Sequence, residues 1–135
     1  IDHFKHVNDT YGHLTGDRVL KGLSRLLQDR LRRTDVVGRY GGEEFGVILF
    51  NTDLKNAKRL LDELRDSFSR LRQSNGETDF RVTFSCGIAA FPDFDTVSDL
   101  NEAADGALYR AKEAGRNRVV SAAELLDDES TPGST

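Results

Sequence analysis

The sequence predicts an α+β fold, with helices packed on a sheet, from two periodic patterns and the order in which they occur. Apolar residues recur at helical spacing, with charged residues opposite, in segments 14–31, 54–72 and 96–115. Short apolar or alternating runs typical of strands lie at 35–40, 44–50, 81–89 and 118–120. The first residues are predicted to end a strand and lead into a short helix or turn. The resulting order, β-α-α-β-β-α-β-α-β, contains a central hairpin and favours a layered α+β architecture.

Capping signals predict where the helices begin and end. Thr15 is expected to cap the first long helix, with Asp17 in its first turn. The run Ser74-Asn75-Gly76 is expected to end the second long helix. Thr96 begins a capping-box sequence at the start of the third, and Gly115 is expected to cap its C-terminus.

Segment 81–89 alternates between apolar and polar residues, which predicts a half-buried strand. One face carries Val82, Phe84, Cys86 and Ile88, and the other carries Thr83 and Ser85. Cys86 is the only cysteine of the chain, so an internal disulfide is excluded. Its place on the apolar face indicates a small buried hydrophobe rather than a nucleophile.

Composition favours one domain without general affinity for polyanions. The chain has 135 residues, of which 37% are hydrophobic and 31% charged, enough for a modest core. The net charge of -4 argues against nucleic-acid partners and against contact with anionic membranes. Neither a long apolar run nor a signal peptide is visible, so a cytoplasmic location is expected. The acidic segment 122–135, rich in small and polar residues, is predicted to be disordered.

The run Gly41-Gly42-Glu43-Glu44 lies between two apolar stretches and predicts a tight hairpin, because glycine takes positive φ without steric cost. The outgoing strand, at 44–50, is nearly all apolar and is expected to be central and buried on both faces. Carboxylates held beside open backbone suit a divalent cation that bridges phosphates. The alternative is a solvated turn whose charges deter edge pairing.

Three blocks of the sequence, in this order, resemble one family. The first block is Ile1-Asp2-His3-Phe4-Lys5 with Asn8-Asp9, Gly12-His13 and Gly16-Asp17. The second is Gly41-Gly42-Glu43-Glu44-Phe45, and the third is 104–112 with Gly115-Arg116-Asn117. Together they resemble the GGDEF domains, the diguanylate cyclases, in the GGEEF form of their signature.

The resemblance implies a fold, a reaction and partners. The fold would be a palm-like nucleotide-cyclase fold over residues 1–121, with a ferredoxin-like core whose mostly antiparallel central sheet is flanked by helices. The reaction would condense two GTP molecules into cyclic di-GMP and pyrophosphate, across a homodimer and with Mg²⁺ or Mn²⁺ as cofactor. A regulatory domain would precede this one in the parent protein.

By the same resemblance, Glu43 is the metal ligand of the hairpin and the base that activates the hydroxyl, and Glu44 assists it. Ile1 would offer its backbone carbonyl to the metal. The second metal-binding aspartate of the family would immediately precede Ile1. The chain is therefore expected to be a fragment without the N-terminal helix and most of the first strand, and with weak or no turnover by itself.

The first block also supplies the residues expected to read the base. Asn8 and Asp17 match the family's guanine-reading pair, and His13 matches a substrate-contacting position. Phe4, beside Lys5, is also expected to bind GTP. A carboxylate accepts from both N–H groups of the guanine pairing edge, and a carboxamide adds a mixed donor and acceptor. The alternatives are a turn at Asn8 and a first-turn helix charge at Asp17.

Basic residues from both ends of the chain match the family's phosphate ligands. Lys5 is expected to contact phosphate and to take part in catalysis, and Lys112 with Arg116 would grip the terminal phosphates. Gly41 and Gly42 would let the nucleotide lie against the backbone. The two cations at the end of the last helix could equally interact with its negative pole.

Arg32 and Asp35 form an Arg-x-x-Asp unit upstream of the hairpin, where many family members carry a site for inhibition by product. Arginine can stack on guanine and fork onto phosphate, and aspartate can accept from the guanine edge. The alternative is a helix C-terminal arginine followed by a turn aspartate. His3 and His6 are expected to be solvated surface residues rather than zinc ligands, because no third ligand lies near them in sequence.

The sequence is also compatible with two other functions. One is a non-catalytic GGDEF-like module that binds GTP or cyclic di-GMP as a sensor. The other is a purely structural dimerisation domain, which would bind no GTP at millimolar magnesium.

Overall fold

A computed structural model describes residues 1–125. Its helices are α1 (Phe4–Tyr11), α2 (His13–Arg30), α3 (Leu54–Arg70) and α4 (Val97–Glu113). Its strands are β1 (Val36–Arg39), β2 (Phe45–Ile48), β3 (Gln73–Ser74), β4 (Asp79–Phe80), β5 (Cys86–Ile88) and β6 (Val119–Ser121).

Within this part of the chain the strands form three pairs. The hairpin β1–β2 is antiparallel, with Val36 opposite Ile48 and Arg39 opposite Phe45. The short pair β3–β4 is also antiparallel, whereas β5 and β6 run parallel, with Gly87 opposite Val120. The predicted α+β class is confirmed, and two of the three pairs are antiparallel as expected.

The core lies where the apolar stripes of the long helices meet segment 81–88. Val19, Leu64 and Phe68 are fully buried, and Phe68 packs against Phe84 with their ring centroids 5.8 Å apart. Such burial of aliphatic and aromatic groups is the main force that holds α2, α3 and the strands together.

Gly87 marks the closest approach of strand and helix. A Cβ placed on Gly87 would overlap the carbonyl oxygen of Ala104 and lie 2.9 Å from Leu108 Cα. Both atoms belong to the backbone of α4, so neither can move aside without moving the helix. Only glycine therefore allows β5 and α4 to pack at this distance.

The helix ends were predicted with mixed success. The long helix α2 begins at His13 after Gly12, and Thr15 lies inside its first turn, where it is buried, so the predicted Thr15 cap is wrong. The Thr96 cap is confirmed, because its hydroxyl accepts from the Asp99 N–H at 3.0 Å. Ala114 takes the C-cap position of α4, and Gly115 follows it with φ +123°.

The chain between α3 and β5 differs from the prediction. Helix α3 ends at Arg70 because the chain turns into the β3–β4 hairpin, which the sequence pattern did not predict. The hairpin turn is held by Asn75, whose side-chain oxygen accepts from the N–H groups of Glu77 and Thr78. Val82 and Phe84 are buried as predicted, but regular strand pairing begins only at Cys86.

The hairpin β1–β2 is present, but two expectations about it are wrong. Neither Gly41 nor Gly42 has positive φ, because a five-residue loop joins the strands instead of a two-residue turn. Strand β2 is not buried on both faces: Gly46 and Ile48 are exposed, and β1 is its only partner within residues 1–125. Its apolar sequence therefore forms a half-buried strand.

The disordered tail was predicted to begin at residue 122, which is too early. Ala122 is buried, Lys58 forms an ion pair with Glu124, and the Glu124 N–H donates to the Ser121 hydroxyl. Residues 122–125 are therefore part of the folded domain. The rest of the predicted tail, 126–135, lies outside the described residues. Across residues 1–125, every helix is too short or too polar to span a bilayer.

Candidate functional site

The N-terminal residue, the β1–β2 loop and the end of α4 meet at one place. The Ile1 nitrogen donates to the Glu43 carbonyl oxygen at 3.1 Å. The charged groups that act on this nitrogen are Asp2, Glu43, Glu44 and Lys112. Residues from all three sequence blocks thus surround Ile1.

The β1–β2 loop holds the two carboxylates in place through its backbone. The Tyr40 N–H donates to the Glu44 carbonyl at 2.8 Å, and the Arg39 guanidinium donates to the Gly42 carbonyl at 2.6 Å. The side chains of Glu43 and Glu44 are left exposed to solvent. A Cβ on Gly41 or Gly42 would meet no atom within 4 Å, so the space beside this backbone is open.

Helices α1 and α2 enclose a polar atom without a partner. Asn8 Oδ1 is buried and, within residues 1–125, accepts no hydrogen bond. It lies against Gly16, where a Cβ would overlap it and would also lie 3.3 Å from the Phe4 ring. Asn8 and Phe4 thus both lie against Gly16, and the exposed Asp17 follows Gly16 in the sequence. A buried acceptor without a donor is unfavourable unless a ligand supplies one.

The end of α4 presents two cations whose side chains make no hydrogen bond or ion pair with the rest of the described chain, Lys112 and Arg116. Three successive residues with positive φ follow the helix: Gly115 at +123°, Arg116 at +63° and Asn117 at +47°. The Arg116 N–H donates to the Ala111 carbonyl, which folds this turn back onto the helix. Lys5 and His13 are also exposed and likewise show no ion pair within this part of the chain.

Asp2 has a role that its sequence motif did not predict. Its carboxylate is buried and accepts three hydrogen bonds: from the hydroxyls of Thr83 and Ser85, both at 2.7 Å, and from the Asn117 N–H at 3.0 Å. The Asp2 N–H donates to the Thr83 carbonyl at 2.9 Å. The two hydroxyls on one face of segment 81–89 were the signal that could have pointed to a buried acceptor.

Arg32 and Asp35 lie together at a separate place, beside an open groove of about 380 Å³ that Asn51 and Asn56 also line. The Arg32 guanidinium donates to the Phe50 carbonyl and to the Thr52 hydroxyl. Burial by itself would raise the pKa of Asp35, but hydrogen bonds from the N–H groups of Arg32 and Phe50 and from the Arg32 guanidinium hold that pKa below its usual range.

A magnesium ion at this place could take one carboxylate from the protein and its remaining ligands from water and phosphate. Glu43 offers one carboxylate, and no group of three or more histidine, cysteine, aspartate or glutamate side chains in residues 1–125 is arranged to hold a metal. Mg²⁺ characteristically binds through one or two carboxylates plus substrate phosphates.

The environments of Cys86 and of the histidines His3 and His6 do not favour nucleophilic or zinc chemistry. Cys86 is partly buried, and desolvation raises the pKa of its thiol to about 12, so it is a poor nucleophile. His3 is exposed with φ +55°, and the His6 ring contacts the Thr10 hydroxyl at 3.4 Å.

Comparison with known proteins identifies the family. Residues 1–118 match the family described as "Diguanylate cyclase, GGDEF domain". Diguanylate cyclase DgcP of Pseudomonas aeruginosa is 44% identical over 119 residues, which cover 88% of this chain and only 18% of that protein.

Solved structures agree with this match. The GGDEF domain of DgcB from Caulobacter crescentus, solved in complex with c-di-GMP, is 33% identical with a TM-score of 0.80, over 91% of this chain and 74% of that one. The active GGEEF domain of a diguanylate cyclase from Vibrio cholerae is 33% identical with a TM-score of 0.81, over 90% and 77% of the two chains. The chain therefore belongs to the diguanylate cyclase GGDEF-domain family.

Proposed function

We propose that this domain condenses two GTP molecules into cyclic di-GMP and releases pyrophosphate. The observation that carries this proposal is the meeting of Ile1, Glu43 and Lys112, which come from three distant parts of the sequence. Acidic groups beside unpaired cations suit a magnesium-bound triphosphate, because the acidic side holds the ion and the basic side balances the phosphates.

The chemistry needs a base, phosphate ligands and an open approach. In each half-reaction the 3′-oxygen of one GTP attacks the α-phosphorus of the other, the bond to the β-phosphate breaks and pyrophosphate leaves. Glu43 accepts the proton of the attacking hydroxyl, and Glu44 assists it. Lys5, Lys112 and Arg116 hold the phosphates, and the open backbone at Gly41 and Gly42 admits the nucleotide.

Mg²⁺ or Mn²⁺, held by Glu43 and the Ile1 carbonyl, would neutralise charge on the phosphates when bound. Each protomer of a homodimer would hold one GTP, because the reaction joins two identical nucleotides head to tail. This two-fold arrangement brings each hydroxyl to the other nucleotide's phosphate.

The unpartnered Asn8 Oδ1 supports guanine as the base. The Asp17 carboxylate can accept from both N–H groups of the guanine pairing edge, and Asn8 Oδ1 can accept from the second N–H of the 2-amino group, whereas adenine offers a ring acceptor on its pairing edge and carries no 2-amino group. Phe4 lies beside Asn8 at Gly16, and the exposed His13 at the start of α2 would contact the substrate. We therefore expect GTP to bind far better than ATP.

The deciding experiment measures cyclic di-GMP formed from GTP and Mg²⁺ by the full-length protein and two variants. Glu43→Ala should lower the rate at least about a hundredfold, as loss of a key electrostatic group does. Glu77→Ala is the matched control, because Glu77 is also an exposed glutamate in a hairpin loop but lies between β3 and β4. Equal rates for the two variants, or no product from the unchanged protein, would reject the enzymatic function.

Product inhibition at Arg32 and Asp35 is a second part of the proposal. The groove beside them supports it, since it exposes a guanidinium already oriented by Asp35 and Thr52. Arg32→Ala should weaken cyclic di-GMP binding in calorimetry and raise the amount of product at which synthesis stops. Arg33→Ala, an exposed neighbour, is the control. Identical inhibition in both variants would exclude this site.

A further inference from the structure

We propose that Asp2 is a positioning residue for the terminal phosphates of the substrate. Its carboxylate fixes the turn 115–117 and so sets the place of Arg116. This inference rests on the proposed function, because it assumes that Arg116 binds phosphate. Asp2 itself is buried and does not touch the substrate.

The first support is the number and origin of the donors to Asp2. Oδ1 accepts from Ser85, whereas Oδ2 accepts from both Thr83 and the Asn117 N–H. A single buried carboxylate thus ties the N-terminal segment to segment 81–85 and to the turn after α4. Charge-assisted hydrogen bonds of this kind are about twice as strong as neutral ones.

The second support is the backbone of the turn. Arg116 and Asn117 both have positive φ, at +63° and +47°, a region that residues with a side chain rarely occupy. Two successive residues keep this conformation only when surrounding contacts enforce it. The hydrogen bond from the Asn117 N–H to Asp2 is one such contact. It lies one residue after the exposed Arg116.

A further contact restrains the same turn through the side chain of Asn117. The Asn117 side-chain oxygen accepts from Arg65 Nη1 at 2.8 Å, and Arg65 Nε donates to Asp62 at 2.8 Å. Asn117 is therefore held through its backbone by Asp2 and through its side chain by α3. Arg116, between this anchor and α4, has its backbone fixed while its guanidinium is unpaired within the described chain.

Asp2 also joins the two ends of the candidate site. Its neighbour Ile1 contacts the Glu43 carbonyl, and Asp2 itself contacts the turn that carries Arg116. A shift at Asp2 would therefore change the distance between the acidic loop and the phosphate-binding cations. Phosphoryl transfer is sensitive to such displacements, because its catalysis depends on positioning.

The test measures binding of two nucleotides to the full-length protein by calorimetry. One is the α,β-methylene analogue of GTP, which cannot release pyrophosphate, and the other is GMP, which lacks the terminal phosphates. Asp2→Ala should weaken the triphosphate about tenfold and leave GMP unchanged. Asp2→Asn should bind almost normally, because its amide oxygen can accept from Asn117 and its NH₂ group can donate to Ser85.

Ser85→Ala is the matched control, because it removes one hydrogen bond from the same carboxylate without touching Asn117. It should lower thermal stability and leave triphosphate binding unchanged. In addition, Asp2→Ala should have no further effect when Arg116 is already alanine, because the two residues act as one unit. A merely structural role for Asp2 would instead give additive losses.

The outcomes separate this inference from the proposed function. If the unchanged protein binds the triphosphate analogue but Asp2→Ala binds it equally well, the positioning role is wrong and the proposed function stands. If Asp2→Ala weakens GMP as much as the triphosphate, the effect is general and the positioning role is also rejected. If the unchanged protein binds neither nucleotide, the proposed function fails and the inference fails with it.

Discussion

Gly16→Ala is the most direct test of base recognition by Asn8. Gly16 lies inside α2 and is buried, and a Cβ at this position would overlap Asn8 Oδ1 and lie 3.0 Å from its Cγ. The Asn8 side chain can swing away without breaking a hydrogen bond, because Oδ1 has none in the described residues. We therefore expect the variant to fold with Asn8 displaced from its place against residue 16.

This variant should change the free energy of unfolding little but weaken GTP binding clearly. Replacing glycine by alanine inside a helix gains about 1 kcal/mol, and repacking a tight site costs about 1–3 kcal/mol. The net change in unfolding free energy should therefore be small, or a loss of up to about 2 kcal/mol. In the complex, the guanine N–H that Asn8 would accept is left unpaired, which costs about 1–3 kcal/mol. GTP affinity should accordingly fall roughly 5- to 150-fold.

The matched control is Gly22→Ala in the same helix. A Cβ on Gly22 would meet no atom within 4 Å, so this variant receives the gain in helix propensity without a clash. Its melting temperature should rise by about 4 °C, and its GTP affinity should not change. Calorimetric titration with GTP and thermal unfolding of both variants provide the measurements. Equal GTP affinities for the two would refute the assignment of Asn8 to the base.

Three further predictions concern stability. Gly87→Ala should cost about 3 kcal/mol or more in urea unfolding, since the added Cβ overlaps the α4 backbone; a loss under 1 kcal/mol would mean that the helix moves easily. Thr96→Ala should cost about 1 kcal/mol and Thr96→Ser much less, because the hydroxyl caps α4; equal losses would speak against the cap. For Asp35, the lowered folded pKa stabilises the protein above the unfolded pKa of about 3.9, and this stabilisation disappears as pH falls through the folded value. Urea unfolding should therefore give Asp35→Asn a lower free energy of unfolding than the unchanged protein at pH 7, and the difference should narrow as the pH falls below the unfolded pKa. A difference independent of pH would contradict the assignment.

The helices were the part of the fold that the sequence could predict well. Their apolar stripes extend over several turns, so a single residue that departs from the pattern does not obscure the helix. Phe68 and Leu64 on the α3 stripe are fully buried, as their spacing predicts. The cap at Thr96 was also predictable, because the hydrogen bond that it makes is local. The N-cap prediction for Thr15 was wrong because threonine can also be buried in the first turn of a helix when tertiary packing favours it.

Strand partners were harder to predict, because they depend on contacts between distant segments. The two-residue strands of the β3–β4 hairpin are too short to show alternation. The exposed Ile48 shows that an apolar strand need not be central. At the candidate site, motifs predict roles for Glu43 and Lys112, but nothing local reveals that Asp2 joins segments more than 80 positions away.

The lone thiol of Cys86 turns β5 into a built-in reporter of local opening. With a pKa of about 12, it holds roughly a thousandfold less thiolate at neutral pH than a solvated cysteine, so reagents should react with it slowly in the native state. When β5 separates from α4 and β6, the sulfur regains ordinary reactivity, and the labelling rate then measures how often this region opens. Because this sequence has no other cysteine, thiol labelling can be assigned to Cys86 without engineering. The effect of nucleotide on the local opening of β5 could therefore be followed in the unmodified sequence.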